Sequence, residues 1–204
     1  MNKMTTRDII MTLTEYINPN DLIVCSLGRT AEESFLNIDN IDRVLFLDCM
    51  GAVTGTAIGV SLGCPENNVF AFETDGSLMY NLSIFHTLAY KQHEIKNLNI
   101  IIFDNELLES GGGEVSRLVN FNWIEYANSW GIDLSVVYEI EDLKKRLNDE
   151  TQHKSLCVIV VKINNQNLPQ TCFKDIDGIE SKYRFKRFIN KNINKNILRP
   201  AIKN

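Results

Sequence analysis

Short, continuous apolar runs recur along the chain at residues 22–25, 44–47, 69–72, 98–103 and 156–161. They are rich in β-branched and aromatic residues and do not alternate with polar ones, which is the pattern of strands buried on both faces. Between them, apolar residues fall at helical spacing over 5–17, 30–36, 51–62, 77–90, 123–130 and 140–147, and a further helix is predicted over 175–190. This alternation predicts an α/β fold: a three-layer, doubly wound, mainly parallel sheet with helices on both sides. In such folds ligands bind outside the carboxyl ends of the strands. The residues that directly follow the apolar runs are therefore the ones to search for chemistry.

Asp75-Gly76-Ser77 follows the third run, and Asn105 follows the fourth, thirty positions on. Alone, Asp-Gly-Ser is an ordinary turn and N-cap. With Asn105 at the end of the next strand, it places a carboxylate and an amide oxygen at one sheet edge. Mg²⁺ takes a near-octahedral shell of oxygens, commonly one or two from side chains and the rest from phosphate and water. Asp75, Asn105 and the backbone carbonyl of Leu107 form the expected metal ligands. Gly76 and Ser77 open a helix, so their N–H groups and the Ser77 hydroxyl are expected to meet diphosphate oxygens. A helix N-terminus contributes only about 0.3–1 kcal/mol toward an anion, so the metal carries most of the anchoring.

Residues 47–113 resemble the diphosphate-binding (PP-type) domain of thiamine-diphosphate-dependent enzymes, whose signature is Gly-Asp-Gly, a spacer of some twenty-five to thirty residues, then Asn-Asn. Two positions depart from it: Thr74 stands for the first Gly and Asp104 for the first Asn. Cys49-Met50-Gly51 is similar to the family's Ser-Met-Gly. The resemblance implies that Met50 supports the cofactor in its folded V shape and that the Asp48 carbonyl accepts from the pyrimidine amino group. Gly is frequent at position 48 in the family. The Asp48 carboxylate thus leaves three readings open: pointing away, serving a partner subunit, or altering the chemistry. After Asn105, Leu108-Glu109-Ser110-Gly111-Gly112-Gly113 is similar to the glycine-rich loop of phosphonopyruvate and sulfopyruvate decarboxylases, which adds Leu108 and Ser110 to the expected cofactor contacts. Looser matches to that subgroup lie at 28–33 and 167–171. Arg29 and Arg117 are candidates to neutralise a phosphonate or sulfonate; the plainer reading of each is a surface charge.

Gly51, Gly55, Gly59 and Gly63 recur every four residues. Each interior Gly costs about 0.8–1 kcal/mol relative to Ala. Close approach of another backbone would offset this, either a helix across a subunit interface or the sheet below. No Gly-x-Gly-x-x-Gly occurs, so the dinucleotide-binding fingerprint is absent. Five cysteines with no Cys-x-x-Cys pair fit neither a disulfide framework nor a zinc site, and predict a reducing cytoplasm. No apolar run reaches the length of a membrane span. Residues 151–204 carry 11 Lys+Arg against 3 Asp+Glu, and residues 1–150 carry 10 against 23. The acidic body would repel a phosphate backbone, so the expectation is no nucleic acid and no membrane, with the tail a solvated or subunit-docking helix.

These observations divide the chain into a thiamine diphosphate/Mg-binding α/β domain at 1–165 and a basic helical extension at 166–204. At 204 residues the chain is too short to include the second domain in which the family keeps its activating Glu. The resemblance therefore implies a β-type subunit of a split 2-oxo acid decarboxylase, with cofactors thiamine diphosphate and Mg²⁺. Its substrate would be 3-phosphonopyruvate or 3-sulfopyruvate, and a pyrimidine-binding-domain partner subunit would supply the Glu in a hetero-oligomer with paired copies. The alternatives are a non-catalytic cofactor-domain partner, or a subunit of another thiamine-dependent lyase, ligase or oxidoreductase.

Overall fold

In a computed structural model, which describes residues 4–109, 112–116, 120–148, 156–164 and 177–192, six strands form one wholly parallel sheet. The strands are β1 (Leu22–Cys25), β2 (Val44–Phe46), β3 (Val69–Thr74), β4 (Leu98–Asp104), β7 (Leu134–Val137) and β8 (Cys157–Lys162), in the order β2-β1-β3-β4-β8-β7. Two further strands, β5 (Leu107–Leu108) and β6 (Glu114–Val115), form a small antiparallel hairpin beyond the end of β4.

Two apolar layers follow from the two-residue period of the strands. Leu22, Val24, Ile100 and Ile102 face one layer, and Ile23, Cys25, Ile101 and Phe103 the other. The first is covered by α3 (Val53–Gly63), α5 (Ile84–Lys91), α6 (Trp123–Ser129) and α8 (Gly178–Asn192). The second is covered by α1 (Thr6–Thr14), α2 (Arg29–Asn37) and α7 (Ile140–Leu147). The chain winds from β1 outward to β2, then returns across β1 to β3. This reversal opens a crevice at the carboxyl ends of β1 and β3.

Three expectations differ from what is observed. The segment predicted as one helix over 77–90 is three pieces: the single turn α4 (Asp75–Leu78), a 3-10 turn at Met79–Asn81, and α5. β7 was not predicted, because Ser135 interrupts its apolar run and the strand lies at the sheet edge. The glycine stripe does not serve the sheet: no described atom lies within 4 Å of where a Cβ would sit on Gly59 or Gly63, while Gly55 faces Ile84 at 3.4 Å.

The basic tail helix is not merely solvated: one face of it packs on this chain's own sheet. Phe185, Phe188 and Ile189 of α8 are buried in this chain's own core. Its Ser181, wholly buried, closes the exposed edge of β2: the hydroxyl accepts from the Phe46 N–H at 2.8 Å and donates to the Val44 carbonyl at 3.1 Å. One side chain thus satisfies two backbone groups that an edge strand leaves open. Among the described residues no helix is long and apolar enough to cross a membrane.

Ser181→Ala is expected to leave both Phe46 N–H and Val44 C=O unpaired and to destabilise the chain by about 1–3 kcal/mol. Urea unfolding of the variant beside the parent chain measures this; an unchanged midpoint would show that the edge is satisfied in another way.

Candidate functional site

A cleft of about 500 Å³, counting the space open to solvent, lies at the carboxyl ends of the strands. Its walls come from the segments after β1 (Ser26 to Thr30), β2 (Met50), β3 (Thr74 to Ser77), β4 (Asn105 to Glu109) and β8 (Ile163). Asp75, Gly76, Asn105, Leu107 and Leu108 therefore meet there, as their positions after the apolar runs predicted.

Asp75 dominates the electrostatics. It is 1% exposed, and its Oδ2 has no hydrogen-bond partner. Burial, with Asp104 repelling nearby, pushes its pKa up to about 7, against the pull of the Gly76 N–H, the Ser116 side chain and the Lys162 charge. A buried carboxylate with an unused lone pair calls for a cation. Around it stand two neutral oxygen donors. Asn105 uses Oδ1 to accept from the Leu107 N–H at 2.9 Å, an Asx turn that leaves a second lone pair. That turn, with Glu106 in the left-handed region at φ 62°, starts the β5–β6 hairpin and brings the Leu107 carbonyl over Gly76. A Cβ on Gly76 would stand 3.6 Å from that carbonyl, an ordinary contact, and 3.0 Å from the terminal methyl of Leu108, which would have to give way. One carboxylate and two neutral oxygens suit a hard divalent cation that keeps positions for phosphate and water. The residues present fit Mg²⁺ and a diphosphate.

Ser77 borders the cleft, but its polar groups run inward. Its N–H donates to Thr74 Oγ1 at 3.2 Å, and its hydroxyl accepts from Gly51 N–H at 3.0 Å. Ser116 and Glu73 were not anticipated from sequence, since each gains its role only through the tertiary pairing. Glu73 is wholly buried; burial pushes its pKa up, while the neighbouring Ser77, Thr74 and Thr54 pull the other way. Met50 lines the cleft and Cys49 is exposed. Arg29 reaches the cleft from the start of α2 with its Nε 3.8 Å from Glu109. Ser110 and Arg117 lie outside the described residues.

Residues 28–161 match the family described as thiamine pyrophosphate enzyme, C-terminal TPP binding domain. The chain belongs to this family. The matched stretch begins at the glycine after β1 and ends within β8, so it contains nearly every segment that builds the cleft.

Among its relatives is the sulfopyruvate decarboxylase subunit beta of Methanocaldococcus jannaschii, 27% identical over 180 residues, covering 87% of this chain and 93% of the relative. The subunit of the same name from Methanococcus maripaludis is 26% identical over 93% of this chain and 100% of the relative. A solved Rhodococcus jostii thiamine diphosphate-dependent 4-hydroxybenzoylformate decarboxylase shares the fold with a TM-score of 0.65 at 18% identity; the match covers 80% of this chain and 33% of that enzyme. The chain thus spans about a third of the solved enzyme, and nearly all of the two beta subunits.

The departures from the thiamine pyrophosphate signature each have a structural account. Thr74 is extended, at φ −116° and ψ 151°, where no glycine is needed, and its hydroxyl caps α4. Asp104 is turned from the cleft: its Oδ2 accepts from Trp123 Nε1 at 2.8 Å and pairs with Lys162 at 2.7 Å. Asp48 points away as well, its carboxylate lying against Gly178 at the start of α8, where a Cβ would collide with it. Of the three open readings of Asp48, the first is the observed one.

The raised Asp75 pKa has a sign. Its ordinary value in an unfolded chain is about 3.9, so between about pH 4 and 7 the fold binds a proton that the unfolded chain releases. The ligand-free chain should therefore lose about 2–3 kcal/mol of stability between pH 5 and pH 8, and Asp75→Asn should flatten that slope. Urea titrations of both proteins at the two pH values measure it; equal slopes would place the raised pKa elsewhere.

Proposed function

We propose that this chain is the diphosphate-binding, β-type subunit of a split thiamine-diphosphate-dependent decarboxylase that converts 3-sulfopyruvate to the corresponding aldehyde and CO₂. The observation that carries this reading is the reciprocal coverage with two sulfopyruvate decarboxylase beta subunits, at 93% and 100% of their lengths. The cleft adds chemical support. Asp75, Asn105 and the Leu107 carbonyl would hold Mg²⁺, and the ion would hold the diphosphate. The bound cofactor supplies the electron sink into which a 2-oxo acid releases the electrons left by CO₂.

The chain's own residues have four tasks. Asp75 neutralises the ion, and Gly76 leaves room beside it for the Leu108 side chain of the β5–β6 hairpin. Met50, on the opposite wall, supports the rest of the cofactor. Arg29, which lines the cleft near Glu109, would attract the sulfonate of the substrate. None of the described cleft-lining residues is matched by motif to the activating Glu, so that group is assigned to a pyrimidine-binding partner subunit. The bare backbone at Gly59 and Gly63, with no described atom covering it, supports an interface on that face of α3.

Mixing this chain with a complementary pyrimidine-binding chain, thiamine diphosphate, Mg²⁺ and 3-sulfopyruvate should give CO₂ release that neither chain gives alone. Asp75→Ala should lower that rate at least about 100-fold, the scale at which one preorganised electrostatic contact acts. Turnover by the isolated chain would contradict the split site, and turnover of 3-phosphonopyruvate in preference to 3-sulfopyruvate would redirect the substrate assignment.

A further inference from the structure

The turn between β2 and α3 is latched from outside. Gly51 follows Met50 in the left-handed region, at φ 79°, and a Cβ there would stand 3.0 Å from Asn81 Cβ and 3.3 Å from Tyr80 Cβ. Its N–H donates to Ser77 Oγ at 3.0 Å, and its carbonyl accepts from Asn81 Nδ2 at 3.0 Å. The two peptide planes that flank Gly51 are thus both fixed by side chains of the segment after Asp75.

Behind Ser77 stands Glu73, wholly buried. One carboxylate oxygen accepts from the Thr54 N–H at 3.3 Å and hydroxyl at 3.1 Å; the other accepts from the Thr74 N–H at 3.1 Å. The Ser77 oxygen, in turn, receives the Gly51 N–H, and its own backbone N–H is taken by Thr74 Oγ1 at 3.2 Å.

We infer that Ser77 and Glu73 are positioning residues, Ser77 through Gly51 and Glu73 through Thr54, which lock the turn and first helical residues after Met50 to the oxygen-donor end of the cleft, and that Ser77 acts on a cofactor through Gly51 and not as a diphosphate ligand. Two contacts, Glu73 with Thr54 in the first turn of α3 and Ser77 with Gly51, 26 residues away in sequence, join the two walls of the cleft. A ligand confined to the oxygen-donor end touches only one of those walls. A longer ligand that also reaches Met50 depends on the distance between them.

The ligand arm of the test rests on the cofactor reading above, while the exchange arm does not. In the full-length chain without ligand, Ser77→Ala should raise the amide hydrogen exchange of Gly51 at least about tenfold, the loss of one net hydrogen bond. With Mg²⁺ present, calorimetry should find inorganic pyrophosphate bound by Ser77→Ala within about twofold of the parent chain, and thiamine diphosphate weakened at least about tenfold. Glu73→Gln, which keeps the side-chain volume and removes an acceptor, should shift both readouts in the same direction by a smaller factor, and serves if Ser77→Ala does not fold. Unchanged Gly51 exchange would overturn the inference. Equal weakening of pyrophosphate and thiamine diphosphate would overturn it too, because a hydroxyl that binds diphosphate, or general damage, affects both. If the parent chain and its partner bind neither ligand, the cofactor reading falls, and the exchange result alone decides the positioning role.

Discussion

A carboxylate held out of water with one oxygen unsatisfied is the constraint around which this molecule is arranged. Asp75 sits at the end of a strand buried on both faces, close enough to Asp104 for the two charges to repel. Lys162 moderates the conflict but does not remove it, because its ammonium is bonded to Asp104 and Glu106 instead. The ligand-free chain therefore carries an electrostatic debt that a divalent cation can settle. Stability lost at this point is the usual cost of a site organised in advance of its ligand.

The rest of the fold delivers groups to that carboxylate. The parallel sheet aligns the ends of β1, β3, β4 and β8 on one rim. The Asx turn at Asn105 bends the chain back as a hairpin, and Gly76 leaves room for the hairpin's Leu108 side chain. The departures from the family signature are absorbed beside this frame. Thr74 takes over a capping duty, and Asp104 becomes the acceptor for the Trp123 indole and the Lys162 ammonium. Neither lends support to a subunit that has lost its ligand site, since neither blocks the cleft.

Much of this was legible in the sequence, for physical reasons. Strands buried on both faces leave uninterrupted apolar runs, and all five such runs correspond to strands of the sheet. Their ends located Asp75 and Asn105 because doubly wound folds bind at those ends. What stayed hidden depends on partners distant in sequence. Nothing local distinguishes Glu73 from any acidic residue in a strand until Thr54, 19 residues away, bonds to it. The break of the 77–90 helix falls where Tyr80 and Asn81 lie close against Gly51, a contact between segments about thirty residues apart. The role of α8 depended on one serine reaching the β2 edge, which charge counting over the tail could not indicate. β7 was missed because an edge strand needs fewer apolar residues than a central one.

The central claim is that a divalent cation joins Asp75, Asn105 and the Leu107 carbonyl to a diphosphate. A crystal of the chain with its partner subunit, thiamine diphosphate and Mn²⁺ in place of Mg²⁺ tests it through the anomalous signal of the metal. The account predicts a single peak within coordination distance of all three oxygens and of the diphosphate. A peak elsewhere in the cleft, or a bound cofactor whose diphosphate is held with no metal at Asp75, would contradict it.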